Sequence, residues 1–454
     1  MRAKLTNGWE NLKASLWFVP TLMVLAAMIL SVVLVEIDIQ LARGRSMLVP
    51  WLFGGSADPA RTVLGVSAGT LITVVSITFS ITIVAFQQTS TQFSPRVLRT
   101  FTSDRGNQTV LGAYIATFVY ALLILRHIRN PEGGNPGFVP ALSITVALLL
   151  TVVCLGLLIY FIHHITQLLQ VAVILGRIHE ELICELDEIF PFALGAPVTD
   201  ENAFVASGLD TDGDRTLLRS TTGGFLRIID GDTLFAASDG GTPWLRVLPQ
   251  VGEFVPYGTV LAELPASAAF SDEQMEQLRA AFVLDVERTI NQDPLFGFRQ
   301  LADIALKALS PAINDPTTAE YSLSRMGDAL GRLALLPFPS RVRVAASGKT
   351  RYIFHAPTWE EFVDAAFAQI RRQAQNDVHV TGHLLRVLHK LAVCLPHGPR
   401  CAAVQHEVDE VRRVLNGGQF SPHDAAVLRQ LCDAVDLALR TSVHEPLPEP
   451  ATAV

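Results

Sequence analysis

VLGVSAGTLITVVSITFSITIVAF, residues 63–86, runs for 24 residues without a charged side chain. A bilayer core needs roughly 20 apolar residues in helical form, so this stretch reads as a membrane span. Three further runs meet the same test: Ser15–Val35, Val110–Leu125 (the shortest) and Val139–Ile162. The first run is too long for a signal-peptide core, and Val35-Glu-Ile-Asp offers no small-residue cleavage site, so it reads as a retained anchor. The full chain has 454 residues, 50% hydrophobic and 17% charged. That is too apolar for an ordinary soluble enzyme and too charged for a protein that is membrane throughout. Two solvents for one chain are implied.

The charges divide the same way. Residues 1–179 hold 12 Lys and Arg against 6 Asp and Glu, leaving 23 of the 35 basic and 37 of the 43 acidic residues to the rest. An acidic rear half argues against nucleic acid as a partner. With the N-terminus inside, the basic loop residues favour the inner side by seven to five, which places both termini in the cytoplasm. Five cysteines show no C-x-x-C pair, which suits a reducing compartment and gives no thiolate metal site.

The second span differs from the others. At 100° per residue, Thr70, Thr73, Ser76, Ser80, Gln87 and Thr91 fall within about a third of its circumference. Such a stripe either lines a water-filled path or bonds to neighbouring helices. Arg96, Arg99 and Arg105 follow it, as topology signals or as a basic inner mouth favouring anions. No acidic or basic residue interrupts the interior of a span, which argues against a proton relay or voltage sensor. His163 and His164 stand where the fourth span leaves the membrane.

The expected fold is a membrane bundle of four transmembrane helices over residues 1–179, followed by a soluble α+β region. Residues 180–216 read as a helix continuing the fourth span (Glu180–Ile189) and a loop. In that loop Asp210, Asp212 and Asp214 alternate as in a calcium site but lack its glycine and glutamate. Residues 217–265 read as a small β-barrel-like module. Its strands start at Phe225 and Trp244, and Val251-Gly-Glu-Phe-Val-Pro-Tyr-Gly resembles the turns of biotinyl and lipoyl carriers. The lysine those carriers need is absent. Residues 266–444 read as mainly helical, with capping boxes at Ser271/Gln274 and Thr358/Glu361 and an N-cap at Ser421. A helix is expected to carry Leu278, Phe282 and Val286 on one face, and RVRVAA with RYIFHA to form a hairpin. The Pro-rich tail 445–454 reads as disordered.

The densest polar constellation starts at Asp293. Arg299, Asp303 and Lys307 share one helix face, Ser310-Pro311 ends that helix, and Asp315-Pro316 opens the next beside Asn314 and Thr317. The set reads either as a salt-bridge ladder with a capped turn, or as a ligand or coupling corner where a helix N-terminus holds an anion. His379 and His383 are one turn apart but lack the glutamate of H-E-x-x-H, so neither a metal nor another cofactor is expected. No motif places a nucleophile beside a base, which leans against an enzyme.

RQLADIALKALSPAINDPTTA (residues 299–319) and SITFSITIVAFQQTSTQFSPRVLRTF (residues 76–101) resemble the hallmarks of a bacterial membrane-protein family catalogued as domain of unknown function 2254. The resemblance runs from the first span to the helices after Pro316. It implies a multi-span inner-membrane protein with no assigned activity. The functional expectation is a homo-oligomeric, channel-like protein in the lipid bilayer, with a cytoplasmic vestibule or gate and an ion or small molecule as ligand. The alternative is a membrane-anchored binding or signalling module that recruits its partner through the acidic half.

Overall fold

The computed structural model describes residues 15, 17–43, 53–92, 104–131, 137–190, 196–197, 215–268, 270–345, 347–396 and 398–441. Arg96, Arg99, the Asp210–Asp214 loop and the tail 445–454 lie outside the described residues. The chain divides into two compact units, which meet in sequence at Gln170/Val171.

The membrane unit contains α1 (Phe18–Arg43), α2 (Ala57–Gln92), α3 (Arg105–Leu125) and α4 (Ala141–Leu168). All four are long and apolar enough to cross a membrane. The shortest run in the sequence, α3, is the hub. It packs on the other three helices, and 56% of its apolar window is buried against 17–22% of theirs. Small residues allow this approach: a Cβ on Gly112 would lie 3.0 Å from the backbone of Pro20 in α1.

Two acids tie helix ends together. Asp38 of α1 is buried and caps α4 from outside, accepting from Leu142 N at 3.0 Å, Ser143 N at 2.9 Å and Ser143 Oγ at 2.5 Å. Asp104 caps α3 through Asn107 N, and its Oδ1 lies 2.7 Å from His164 Nε2 on α4. Both capped N-termini offer unpaired N–H groups that a carboxylate satisfies. The helices outrun the spans read from hydropathy. At 36 residues α2 is roughly 54 Å long against a hydrocarbon core of about 30 Å, so its ends project from the core.

The soluble unit begins with α5 (Val171–Ile189), not with a continuation of α4. Gln170 N bonds Gln167 O at 3.0 Å, a tightened last turn that ends α4 before α5 starts. Next come β1 (Ala196–Pro197), β2 (Arg215–Arg219), β3 (Gly224–Ile229), α6 (Gly231–Ser238), β4 (Trp244–Val247), β5 (Phe254–Val255), β6 (Val260–Pro265), α7 (Asp272–Ala280) and β7 (Phe282–Asp285). The helical part is α8 (Pro294–Ala308), α9 (Pro316–Leu333), the strands β8 (Val342–Val344) and β9 (Arg351–Ile353), and then α10 (Trp359–Gln373), α11 (Val378–Cys394), α12 (Arg400–Asn416) and α13 (Pro422–Thr441).

The strands do not close into a barrel. They form a six-stranded sheet, β1-β8-β9-β4-β6-β2, and a three-stranded sheet, β5-β3-β7. The RVRVAA/RYIFHA hairpin forms as expected and joins β4 through a parallel pairing of β9. The helix expected through Val286 stops at Ala280. Phe282–Asp285 pairs antiparallel with β3, burying Phe282 and Val283 while Val286 stays exposed. The apolar Phe-Val-Leu run packs better in a sheet than on a third helical turn, a case of tertiary pairing overriding local periodicity. Leu218, Leu226, Leu245, Leu264 and Tyr352 are fully buried between these elements. Both capping boxes are made, and Ser421 accepts from Asp424 N.

Candidate functional site

Two places concentrate polar side chains, one in each unit. On α2 the side chains of Thr70, Thr73, Ser76, Ser80 and Gln87 are all exposed; Thr91 is helical, with its side chain outside the described residues. The opposite face carries Leu64, Ala68, Leu71, Thr78, Thr82, Ala85 and Thr89, all buried against the bundle. Thr73, Ser76 and Ser80 are therefore turned away from the buried face, while Thr70 stands at the edge of a cavity lined also by Tyr114 of α3 and Thr151 of α4. Thr73 donates to Gly69 O at 3.0 Å, Ser76 to Ile72 O at 2.9 Å and Ser80 to Ser76 O at 2.8 Å. Each hydroxyl is satisfied by its own helix and keeps acceptor capacity outward. Gly65 and Gly69 share this face, and a Cβ on either would meet nothing within 4 Å. Arg105 is exposed at the first position of α3.

In the soluble unit, α8 and α9 open with one repeated device: a left-handed residue, an aspartate N-cap and a proline at N1. Gln292 has φ 56° before Asp293-Pro294, and Asn314 has φ 49° before Asp315-Pro316. A non-glycine residue in that region is strained and persists only where its surroundings hold it. At Gln292 the surroundings are specific. Its side chain accepts from Ile229 N at 3.0 Å and donates to Ile229 O at 3.3 Å, and its own N donates to Glu185 Oε1 at 2.6 Å. One residue thus joins α5, β3 and α8. At Asn314 the turn is closed locally, by Asn314 N to Ser310 O and Asp315 N to Ala308 O, both at 2.9 Å.

Asp293 is buried. It accepts from Phe296 N at 3.2 Å and, through Oδ2, from Arg288 Nη2 at 2.7 Å and Nε at 3.1 Å. Arg288 also lies over the Phe296 ring at 4.9 Å. Burial raises the Asp293 carboxyl above its ordinary range, and Arg288 opposes that shift. Gly252, at φ +88°, passes so close that a Cβ would overlap the Asp293 carboxylate. This is why the turn at Val251-Gly252 takes a glycine. Glu185 is pushed up to about 7, first by burial, with Glu188, Glu181 and Asp293 adding to the rise. Beside this junction lies a cleft of about 90 Å³, with Pro294, Leu295, Phe354 and Pro357 as apolar wall and Gln250, Arg343 and His355 as polar groups.

The expected corner residues do not form one cluster. Asp293 precedes α8, while Asn314, Asp315 and Thr317 follow it, roughly 22 Å of helix away. Arg299 and Lys307 are exposed. The N-terminus of α9 is occupied by the chain itself: Asp315 accepts from Thr318 N at 3.1 Å and from Thr318 Oγ1 at 2.6 Å. Sequence reading missed Glu185, Arg288 and Gln292. The repeated x-Asp-Pro at 292–294 and 314–316 was the available signal.

Sequence reading also missed a Ser–His–carboxylate relay. Ser324 Oγ on α9 lies 2.8 Å from His383 Nε2 on α11, and His383 Nδ1 lies 3.7 Å from Glu320 Oε2. Burial lowers the His383 pKa. The order matches nucleophile, base and orienting acid, but Ser324 sits in mid-helix, where backbone N–H groups bond to their own helix. The Ser324 hydroxyl also lies 2.9 Å from Glu320 O of its own helix, and the three side chains link α9 to α11. His379 is exposed, and among the described residues no three His, Cys, Asp or Glu side chains converge as metal ligands.

Comparisons with known proteins agree with this architecture. The family model described as predicted membrane protein (DUF2254) matches residues 13–390. An uncharacterized protein of Mycobacterium tuberculosis (strain CDC 1551) is 31% identical over 437 residues, covering 95% of this chain and 79% of that protein. An uncharacterized protein of Mycobacterium bovis is 30% identical over 435 residues, with the same shares covered. No solved structure matches the chain. With the model matched over most of the sequence and four helices able to span a bilayer, the chain belongs to the predicted membrane proteins of the DUF2254 family.

Proposed function

We propose that the protein works as a homo-oligomeric, channel-like membrane protein in which copies meet through the hydroxyl face of α2. The observation that carries this reading is the outward position of Thr70, Thr73, Ser76, Ser80 and Gln87 on a helix whose buried face is already used. Of the four spans α2 buries least within the chain, yet it is less apolar than α1 and α4, which are comparably exposed. A helix destined for lipid alone would show the reverse. Small residues let helix backbones approach, and outward hydroxyl oxygens can bond a neighbouring helix or line an aqueous path. Four spans enclose no wide path, so several copies are needed. The N-terminus and the soluble unit are assigned to the cytoplasm of a bacterial inner membrane, on the balance of basic loop residues. Ser76→Leu and Ser80→Leu should abolish ion flux in proteoliposomes; flux equal to wild type would overturn the reading.

The cleft beside Gln292 and Asp293 supports a second reading, a membrane-anchored binding module. Its apolar wall with a few polar groups suits a small ligand. Saturable small-ligand binding by Ser76→Leu protein, with no flux in wild type, would favour that reading.

A further inference from the structure

We propose that the corner between α8 and α9, residues 309–315, rests on the surface of the lipid bilayer, with Ile313 at the headgroup boundary and Lys307 beside lipid phosphates. The place of the corner follows from helix register within the soluble unit. α5 packs on both α8 and α9, and its buried residues run from Ile174 to Ile189. Along α8 the register is antiparallel: Gln292 N donates to Glu185 Oε1 at 2.6 Å, and a Cβ on Gly297 would lie 2.9 Å from Leu182 Cδ1. Eleven residues on from Gly297 is Ala308, and eleven back from Leu182 is Val171, roughly 16 Å along each axis. Along α9 the register is parallel: His179 Nε2 lies 2.8 Å from Asp328 Oδ2, and Arg332 Nε donates to Asp187 Oδ1 at 2.9 Å. Sixteen residues back from Arg332 is Pro316, and sixteen back from Asp187 is again Val171. Both registers set the corner level with the first residue of α5.

The chain itself ties that level to the membrane. Val171 follows Leu168, the last residue of α4, by three residues, so their Cα atoms are at most about 11 Å apart. Packed helices lie about 8–10 Å apart, which keeps the corner within roughly 20 Å of the end of a membrane-spanning helix. α4 has 28 residues, about 42 Å of helix for a hydrocarbon core of about 30 Å. The excess of about 12 Å is shared between its two ends, so its last residues stand in or near the headgroup layer.

Charge and side chains at this level suit a lipid surface. α5 carries no acid in its first nine residues and five in the next nine, Glu180 to Glu188. Residues 304–319 hold one acid, Asp315, which is engaged in capping α9, and one base, the exposed Lys307. α11 opens level with Thr318, since Ser324 meets His383, and its acid Asp377 is again a cap. At the tip Pro311, Ala312 and Ile313 are exposed, in a turn that is fixed. Ile313 N and Asn314 N donate to Ser310 O at 3.0 and 2.9 Å, and Asp315 N to Ala308 O at 2.9 Å. Asn314 is held at φ 49° although its side chain is exposed, so the strain serves the shape of the turn. That turn keeps Ile313 38% exposed beside a lysine, and such a pairing suits an interfacial anchor. Its apolar area enters the headgroup boundary, and the ammonium pairs with anionic lipid.

The test uses the full chain in nanodiscs of phosphatidylcholine and phosphatidylglycerol, with the photoreactive residue benzoylphenylalanine in place of Ile313. The control carries it in place of Val286, which is 85% exposed and stands two residues before Arg288, the partner of Asp293 at the other end of α8. After ultraviolet irradiation, mass spectrometry of the intact chain reads added phospholipid. Lipid adducts are expected from position 313 and not from position 286. Lys307→Gln in the position-313 variant should lower the yield about fivefold, the scale of one lysine at an anionic surface. If replacement of Ile313 prevents folding, the same label at exposed Ala312 carries the test. Absence of lipid adducts, equal yields at the two ends of α8, cross-links into protein in place of lipid, or a yield untouched by Lys307→Gln would overturn the proposal.

Discussion

The hydroxyl face of α2 and the Gln292–Asp293 junction are both dense in polar side chains, and they satisfy them in opposite ways. On α2 the hydroxyl bonds of Thr73, Ser76 and Ser80 each close four residues back, within their own helix. At the junction every bond is long-range or at least partly buried. Gln292 bridges α5 and β3, and Arg288 neutralises Asp293 under the turn at Gly252. Polar density alone therefore does not mark function. The junction ties elements of the fold together, while the hydroxyls of Thr73, Ser76 and Ser80 bond only to their own helix.

Substitutions can break or sharpen that contrast. The largest effect is expected at the junction. Asp293→Ala removes a helix cap and leaves Arg288 partly buried without its carboxylate, a loss of roughly 3 kcal/mol. Thermal unfolding of the full chain, followed by near-ultraviolet circular dichroism, should show the drop; an unchanged midpoint would mean the pair is not structural.

The two left-handed residues should respond with opposite signs. Gln292→Gly relieves backbone strain but strips Ile229 of both bonds, a net loss of about 1–3 kcal/mol. Asn314 is exposed, and its turn is closed by backbone bonds, so Asn314→Gly should be neutral or stabilising by up to about 1 kcal/mol. Equal effects at the two sites would undo the distinction drawn between them.

Glu185 gives the junction a pH dependence. Its folded pKa is raised, from 4.5 to about 7, so its stability contribution is fully present below about 4.5 and is lost as pH rises to about 7. Glu185→Gln keeps an oxygen for Gln292 N and should remove this limb. The difference in melting midpoint, variant minus wild type, should grow between pH 4.5 and 7 and then level off.

The smallest stability effect belongs to α2. Ser76→Ala and Ser80→Ala remove hydroxyls that bond only to their own backbone, so each should change the chain's melting midpoint by less than about 0.5 kcal/mol equivalent. A larger loss, measured in the same unfolding experiment, would mean these hydroxyls support the chain's own bundle.

The sequence made the four spans legible because lipid imposes a length and an absence of charge that few other settings require. Capping boxes at Ser271 and Thr358 were equally plain, since their bonds reach only three residues. What escaped was long-range. Phe282–Asp285 reads as a helix until β3 is there to pair with it, and residues outside 217–265 supply β1, β7, β8 and β9. At the candidate sites the α2 stripe was visible from spacing, but which way it faces depends on α3. Gln292, Glu185 and Arg288 looked unremarkable, because their roles arise only when α5, β3 and α8 converge.

The most direct test of the central claim is the subunit number and symmetry of the full chain in lipid nanodiscs, determined by electron cryomicroscopy. A closed ring of three or more copies with Thr73, Ser76 and Ser80 directed at the subunit contacts or the central axis is the predicted result. A monomer, or a dimer joined elsewhere with those side chains against lipid, would contradict it.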